Sequence, residues 1–185
     1  MTTIDPLDHQ HDYVLTCEVH DARRRLTDWV WGEAARTATR VGFSWIPLPD
    51  APTTYEDLRA AYDECLRSGE PLPVSSDNSS SVIVTSTEAN YAWRFVHDVA
   101  HVEQSLSFSH ADEWELALWH LDQLTRDGYG PDSLEHVLLK ADTLGQVVVS
   151  AVSRRFPADQ ALFDLDCQHY GFEHGILREI RRELS

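Results

Sequence analysis

Apolar residues recur at helical spacing along most of the chain, and glycines or prolines separate the successive runs. Leu26, Trp29 and Val30, for example, share one face of a helix that Gly42 is expected to end. We therefore predict helices over about 14–40, 54–68, 87–104, 110–127, 132–155, 157–170 and 172–183.

Extended segments are few in the predicted structure. Residues 43–49 predict a short extended piece, and 71–74 and 81–85 predict a small β-hairpin around a Ser/Asn-rich turn. The polar residues 1–12 are expected to form an unpacked tail before a single α-rich domain, residues 13–185. The predicted fold class is mainly α, a single-domain helical bundle with a small β-hairpin or two short strands.

The composition is that of an ordinary globular domain, since 42% of the 185 residues are apolar and 25% are charged. No apolar run approaches the roughly 20 residues that span a bilayer, and the N-terminus lacks the features of a signal peptide. We therefore expect a cytoplasmic protein without a membrane segment. The wide spacing of Cys17, Cys65 and Cys167 argues against both a disulfide framework and a thiolate zinc site.

The chain is strongly acidic, because 31 acidic residues against 15 lysines and arginines give a formal charge of −16. Such a surface repels phosphates, so direct nucleic-acid binding is not expected. Three explanations stay open: solubility alone, an acidic face that imitates DNA toward a DNA-binding partner, or surroundings for a cationic ligand. The expected partner is an unidentified small molecule or protein, and assembly into a homo-oligomer stays open.

Two histidines form the first candidate for chemistry. His97 and His101 lie four residues apart on a predicted helix, so both imidazoles leave one face and can share a metal ion. Asp98 points to a neighbouring face, where it can orient a histidine or act as a base. Such a histidine pair is also compatible with a hydrogen-bonded polar core that holds no metal.

Carboxylates farther along the chain strengthen the metal hypothesis. Glu113 follows a short link that can return toward the histidines, and His120 lies seven residues later on the same helical face. Asp142 stands in an apolar helical run, where an acid needs a cation or a metal as partner, and Gln146 one turn later can hold the same group. Histidine and carboxylate donors suit zinc, manganese or iron.

The predicted metal site has four ligands and two supporting residues: His97, His101, Glu113 and Asp142, then Gln146 and His120. Such a site leaves an open position for a metal-bound water. In an enzyme this water would attack an ester, phosphoester or amide, with Asp98 or Glu115 as the general base.

Two rival functions come from other classes. One is a non-catalytic acidic interaction protein, such as an anti-restriction or anti-defence factor. The other is a di-metal iron oxidase in a helical bundle, with Glu113–His120 or His169–Glu173 among its ligands. The second of these pairs requires a helix that continues through Gly171, and we expect that glycine to break the turn.

Residues 90–101, NYAWRFVHDVAH, resemble the motif N-x-x-F-R-x-V-H-D-x-x-G-H of a family of phage- and plasmid-borne proteins, often embedded in large polyvalent proteins. Phe108 and Glu113 follow His101 at the distances that the family pattern has for a phenylalanine and an acidic residue. Residues 142–146, DTLGQ, are similar to its closing E-T-x-G-Q. The resemblance covers roughly residues 26–150. It implies a metal-dependent, hydrolase-like domain of a mobile element, without a defined reaction.

The chain departs from that family pattern in two places. The glycine before the second histidine is absent, which shortens the histidine spacing by one residue, and the closing acid is aspartate. Residues 96–101, VHDVAH, and 141–144, ADTL, also resemble the H-D-x-x-H and A-D-x-L of HD-domain phosphohydrolases. The upstream metal histidine of those enzymes has no counterpart here, since no histidine occurs between His20 and His97.

Overall fold

Helices dominate the part of the chain that the structure, a computed structural model, describes, residues 17–77 and 83–182. The predicted tail, residues 1–12, lies outside these ranges. In chain order the elements are α1 (Cys17–Val41), β1 (Trp45–Leu48), α2 (Tyr55–Ser68), β2 (Leu72–Ser75), α3 (Thr87–Gln104), α4 (His110–Arg126), α5 (Leu134–Lys140), a π-helical turn (Ala141–Gly145), α6 (Gln146–Ser153), α7 (Gln160–Tyr170) and α8 (Phe172–Arg182). The predicted fold class, mainly α with two short strands, is confirmed.

Short polar side chains begin five of these helices by accepting a hydrogen bond from a backbone N–H of the first turn. The caps of α2, α3, α4, α5 and α7 are Thr54, Ser86, Ser109, Ser133 and Asp159. In α2 the Thr54 hydroxyl accepts from Asp57 N at 3.1 Å. Gly42 and Gly69 follow α1 and α2 with φ of 86° and 76°, a conformation that glycine adopts without strain.

The two strands pair in parallel, and α2 connects them. Their register places Trp45 opposite Leu72 and Leu48 opposite Ser75. This pairing differs from the predicted hairpin, because β2 pairs with β1 and residues 83–85 form no strand. Residues 78–82, which include the start of the predicted second strand, lie outside the described part.

After β2, backbone groups of residues 84 and 85 form hydrogen bonds with side chains of α1 instead of with a strand. Arg23 Nη2 donates to the Val84 carbonyl at 2.8 Å, and Thr85 N donates to Thr27 Oγ1 at 3.0 Å. Ile83 and Val84 are buried in the core all the same. These apolar β-branched residues are therefore buried in the core without forming part of the sheet.

The main core lies between α1, α3 and the small sheet. Trp29 and Trp93 have ring centroids 6.0 Å apart, and Trp45 stacks on the fully buried Phe95 at 5.0 Å. Burial of such aromatic side chains contributes the largest share of the packing energy per residue. It also fixes α3, whose other positions carry the candidate histidines.

A second, smaller core joins the C-terminal helices to the π-helical turn. Phe163 and Cys167 of α7 pack there with Ala141 and Val149. The predicted long helix over 132–155 is thus interrupted at 141–145, and π-helical turns often mark functional positions. No helix among the described residues combines the length and apolarity needed to cross a bilayer.

Candidate metal centre

Three side chains bring potential ligand atoms together on one side of α3. His97 Nε2 and His101 Nε2 are 3.1 Å apart, and Glu113 places one oxygen 3.4 Å from His101 Nε2 and the other 3.5 Å from His97 Nε2. In a tetrahedral zinc site with bonds of about 2.0–2.1 Å, neighbouring ligand atoms lie about 3.3–3.4 Å apart. One ligand atom from each residue lies within 4.8 Å of the others, so the three side chains are close enough to approach a single metal ion.

The local structure explains why these donors meet. His97 and His101 occupy successive turns of α3, so both rings leave the same face. The chain then reverses through Ser105, whose φ is 59°, and Glu113 stands in the first turn of α4. The His101 side chain is only 1% exposed, whereas those of His97 and Glu113 are 25% and 27% exposed, so the cluster opens to solvent on one side.

Hydrogen bonds at the far ring nitrogens orient both histidines. His101 Nδ1 lies 3.0 Å from the Leu106 carbonyl, which can only accept, so Nδ1 carries the proton and Nε2 is free. His97 Nδ1 lies 3.3 Å from His120 Nε2. When His97 donates this hydrogen bond, its Nε2 is also free to bind a metal. Partners of this kind fix the tautomer and ring orientation of metal-binding histidines.

Aromatic rings pack against His101 and against the supporting His120. The His120 ring centroid is 4.6 Å from that of Trp93 and 5.0 Å from that of Trp119, and the His101 ring is 4.9 Å from Phe108. These rings exclude water from the supporting histidine and lower the local dielectric constant. Electrostatic interactions among the polar groups are correspondingly strengthened.

The ionisation of the cluster bears on metal binding in two ways. Burial opposes ionisation of Glu113, but the adjacent His101 and His97 imidazoles outweigh it and hold the pKa of that carboxyl well below its usual range. Burial lowers the pKa of His97, yet the contact with the charged Glu113 raises it overall, so a proton competes with a metal ion for this side chain. Burial, with the neighbouring histidines, keeps the pKa of His120 well below its usual value, so His120 stays neutral. A charged carboxylate and neutral supporting imidazole suit a cation.

Asp98 lies next to the cluster but outside it. Its side chain is partly buried, and within residues 17–77 and 83–182 the structure shows no hydrogen bond to its carboxylate. Burial raises the pKa of Asp98 to about 6, although the charges of His97 and His101 act in the opposite direction. A carboxylate so placed is available to accept a proton.

Two other predicted residues do not join the three donors. Asp142 lies on the π-helical turn, close enough to His97 to contribute to its raised pKa, but outside the group of atoms that lie within 4.8 Å of one another. Asp164 of α7 lies close to it and acts on its pKa, together with His97 and Arg94. Gln146 is partly buried at the start of α6, and among the described residues no hydrogen bond joins it to the cluster.

The remaining candidates are exposed. Glu115 stands two residues after Glu113, so it leaves a different face of α4, and it is exposed to solvent. His169 and Glu173 are exposed as well, and they belong to different helices, because Gly171 with φ of 89° ends α7 between them. The expected break at this glycine is present.

Asp164, which was not among the predicted metal ligands, is fully buried beside Asp142. Its signal was an acid between two large apolar residues, Phe163 and Leu165, the same kind of signal that drew attention to Asp142. The cysteines are free, with Cys17 exposed and Cys65 and Cys167 buried.

Comparison with protein-family models, with curated proteins and with solved structures finds no match to this chain. The resemblances to the phage- and plasmid-borne family and to the HD-domain phosphohydrolases therefore stay predictions. Any functional assignment consequently depends on the geometry around His97, His101 and Glu113.

Proposed function

We propose that this protein binds a divalent metal ion through His97, His101 and Glu113 and is a metal-dependent hydrolase. The observation that carries the proposal is the spacing of the donor atoms. The two Nε2 atoms are 3.1 Å apart, and each lies 3.4–3.5 Å from a different oxygen of Glu113, close to the edge of a tetrahedral metal site. The two fixed ring orientations add to it, since they point both Nε2 atoms at the same place. Zinc, manganese and iron all accept two imidazoles and a carboxylate.

Three protein donors leave room in the coordination sphere for water or substrate. A bound divalent ion supplies Lewis acidity and makes water a better nucleophile near neutral pH. His101, fixed by the Leu106 carbonyl, and His97, fixed by His120, hold their positions during the reaction. The partly exposed His97 and Glu113 provide the side from which a substrate approaches.

Asp98 is the residue to which we assign the role of general base. It directly follows the first histidine on α3, it is partly buried, and its carboxylate interacts electrostatically with both histidines. Glu115, the other predicted base, is exposed on a different face of α4. Asp98 would take the proton from the water that attacks an ester, phosphoester or amide.

The test is hydrolysis by protein stripped with EDTA and reconstituted with Zn²⁺, Mn²⁺ or Fe²⁺. Chromogenic carboxyl ester, phosphodiester and anilide substrates report the three bond classes. We expect metal-dependent turnover of at least one class, loss of turnover in Asp98→Asn with metal content retained, and no loss in Glu115→Gln, which removes an equal charge.

Two results would overturn the hydrolase proposal. One is absence of metal-dependent turnover of all three classes by reconstituted protein with a full complement of metal. The other is equal turnover in Asp98→Asn and in the unmodified chain, which would remove Asp98 as the base. An acidic interaction protein would instead bind a protein partner in a salt-sensitive way that survives loss of His97 and His101.

A further inference from the structure

A small pocket on α8 has a basic lining, although the chain as a whole is acidic. Its volume is about 280 Å³, and it is lined by Tyr170 at the end of α7 and by four residues of α8, His174, Leu177, Arg178 and Arg181. His174, Arg178 and Arg181 are spaced by four and three residues, so their side chains share one face of the helix. Among the described residues, no acid lines this pocket.

The charges around the pocket leave an excess of positive charge. Three arginines share two buried carboxylates, the arginines being Arg155, Arg178 and Arg182 and the acids Asp166 and Glu179. Arg181 is exposed, and it forms no ion pair or hydrogen bond within residues 17–77 and 83–182. Four guanidinium groups therefore accompany two carboxylates among the described residues, an excess of two positive charges.

The larger groove between α1, α3 and α4, about 400 Å³ in volume, lacks such an excess. Three carboxylates outnumber the two guanidinium groups in its lining, which includes Arg36, Arg40, Glu33, Glu103 and Asp127. The overall charge of −16 does not exclude an anion from α8, since at about 0.1 M salt, exposed charges more than about 10 Å apart are largely screened. The nearby arginines therefore decide which ions the α8 pocket attracts.

Contacts beneath the pocket hold Arg178 in one orientation. Its Nε lies 3.2 Å from Asp166 Oδ2, and its guanidinium carbon lies 4.2 Å from the centroid of the Tyr170 ring. Stacking of this kind fixes the planar guanidinium, so less side-chain entropy is lost when a ligand binds. Leu177, whose side chain is 41% exposed, adds an apolar surface to the same pocket.

We propose that the α8 pocket binds a small organic phosphate monoester. The phosphate group carries a charge of about −1.5 to −2 near pH 7, which matches the excess of two positive charges, and its oxygens suit the guanidinium fork. The organic part lies against Tyr170 and Leu177. Ligand pockets usually measure about 300–1,000 Å³, so this volume suits a small molecule. The site does not depend on the proposed function, because it shares no residue with the metal centre.

Isothermal titration calorimetry of the EDTA-treated full chain with phenyl phosphate, near neutral pH and at low salt, tests this site. Removal of metal keeps the probe from binding an ion on the histidines. We expect saturable binding of one phenyl phosphate per chain. Arg181→Gln should weaken it by roughly 10-fold, because the variant loses a charge-assisted hydrogen bond to phosphate. His174→Ala, a second exposed change, should weaken it by roughly 3-fold.

Arg67→Gln is the matched control, since it removes another exposed arginine from the last turn of a helix, α2. This variant should bind phenyl phosphate as the unmodified chain does. Phenyl sulfate has the same shape and one negative charge fewer, so it should bind more weakly. Inorganic phosphate lacks the ring and should also bind more weakly. Circular dichroism checks that each variant is folded.

Several results would overturn the inference. One is the absence of saturable phenyl phosphate binding by the unmodified chain, and another is equal affinity in folded Arg181→Gln. Equal affinity for phenyl sulfate would remove the match to a dianion, and equal affinity for inorganic phosphate would remove the organic ester. Loss of binding in His97→Ala/His101→Ala would place the anion at the histidines. Zinc binding by Arg181→Gln should equal that of the unmodified chain, so the metal centre and the α8 pocket can fail separately.

Discussion

Replacing His120 with phenylalanine removes the acceptor for His97 Nδ1 while keeping an aromatic ring in the pocket formed by Trp93 and Trp119. This hydrogen bond, 3.3 Å long, contributes a net free energy of about 1 kcal/mol, which corresponds to roughly a 5-fold change in metal affinity. Loss of the fixed ring orientation adds to it, and such supporting partners typically contribute about 10- to 100-fold to metal affinity. We therefore expect Zn²⁺ to bind roughly 10-fold more weakly to His120→Phe.

Competition with a chromogenic zinc chelator measures this change. His120→Gln should recover part of the affinity, because its amide oxygen offers an acceptor near the position of the ring Nε2. His136→Phe is the matched control, since it replaces another buried histidine, on α5, and should bind zinc as the unmodified chain does. Equal zinc affinity in His120→Phe and the unmodified chain would refute the supporting role of His120.

Two further predictions concern the C-terminal helices. Glu179 is fully buried with Arg155 and Arg182, so Glu179→Gln should cost about 3 kcal/mol in urea unfolding at pH 7. Despite burial, hydrogen bonds from Arg155 lower the pKa of Glu179, so its contribution is present above about pH 4.3 and disappears at lower pH. If Glu179→Gln lowered the free energy of unfolding as much at pH 3 as at pH 7, this explanation would be contradicted. A Cβ at Gly175 would lie 2.5 Å from Cys167 Sγ, so Gly175→Ala should destabilise the fold by about 1–3 kcal/mol, and unchanged urea unfolding would contradict the packing.

The helices were predictable because their signals are local. Glycines after α1 and α2 and the serine or threonine caps mark positions that neighbouring residues alone determine. The strand pairing was not predictable in this way. Alternation in sequence identifies an extended segment but not its partner, and residues 83–85 instead bonded to Arg23 and Thr27 of α1.

The same distinction applies to the candidate site. The spacing of His97 and His101 and the short link to Glu113 are local features, and the sequence analysis placed all three in one site. The contact between Asp142 and Asp164 joins residues 22 positions apart on separate helices, and their proximity follows from the packing of α7 on the π-helical turn. Periodicity alone does not contain that information, so Asp142 was assigned to the histidine centre.

Zinc content per chain tests the metal centre most directly. The full chain, His97→Ala/His101→Ala and the control His169→Ala/His174→Ala, which removes two exposed histidines, are each loaded with Zn²⁺ and passed over a chelating resin before elemental analysis. The geometry predicts one tightly held zinc ion in the unmodified chain and in the control, and none in His97→Ala/His101→Ala. Stoichiometric zinc in that variant, or none in the unmodified chain, would contradict it.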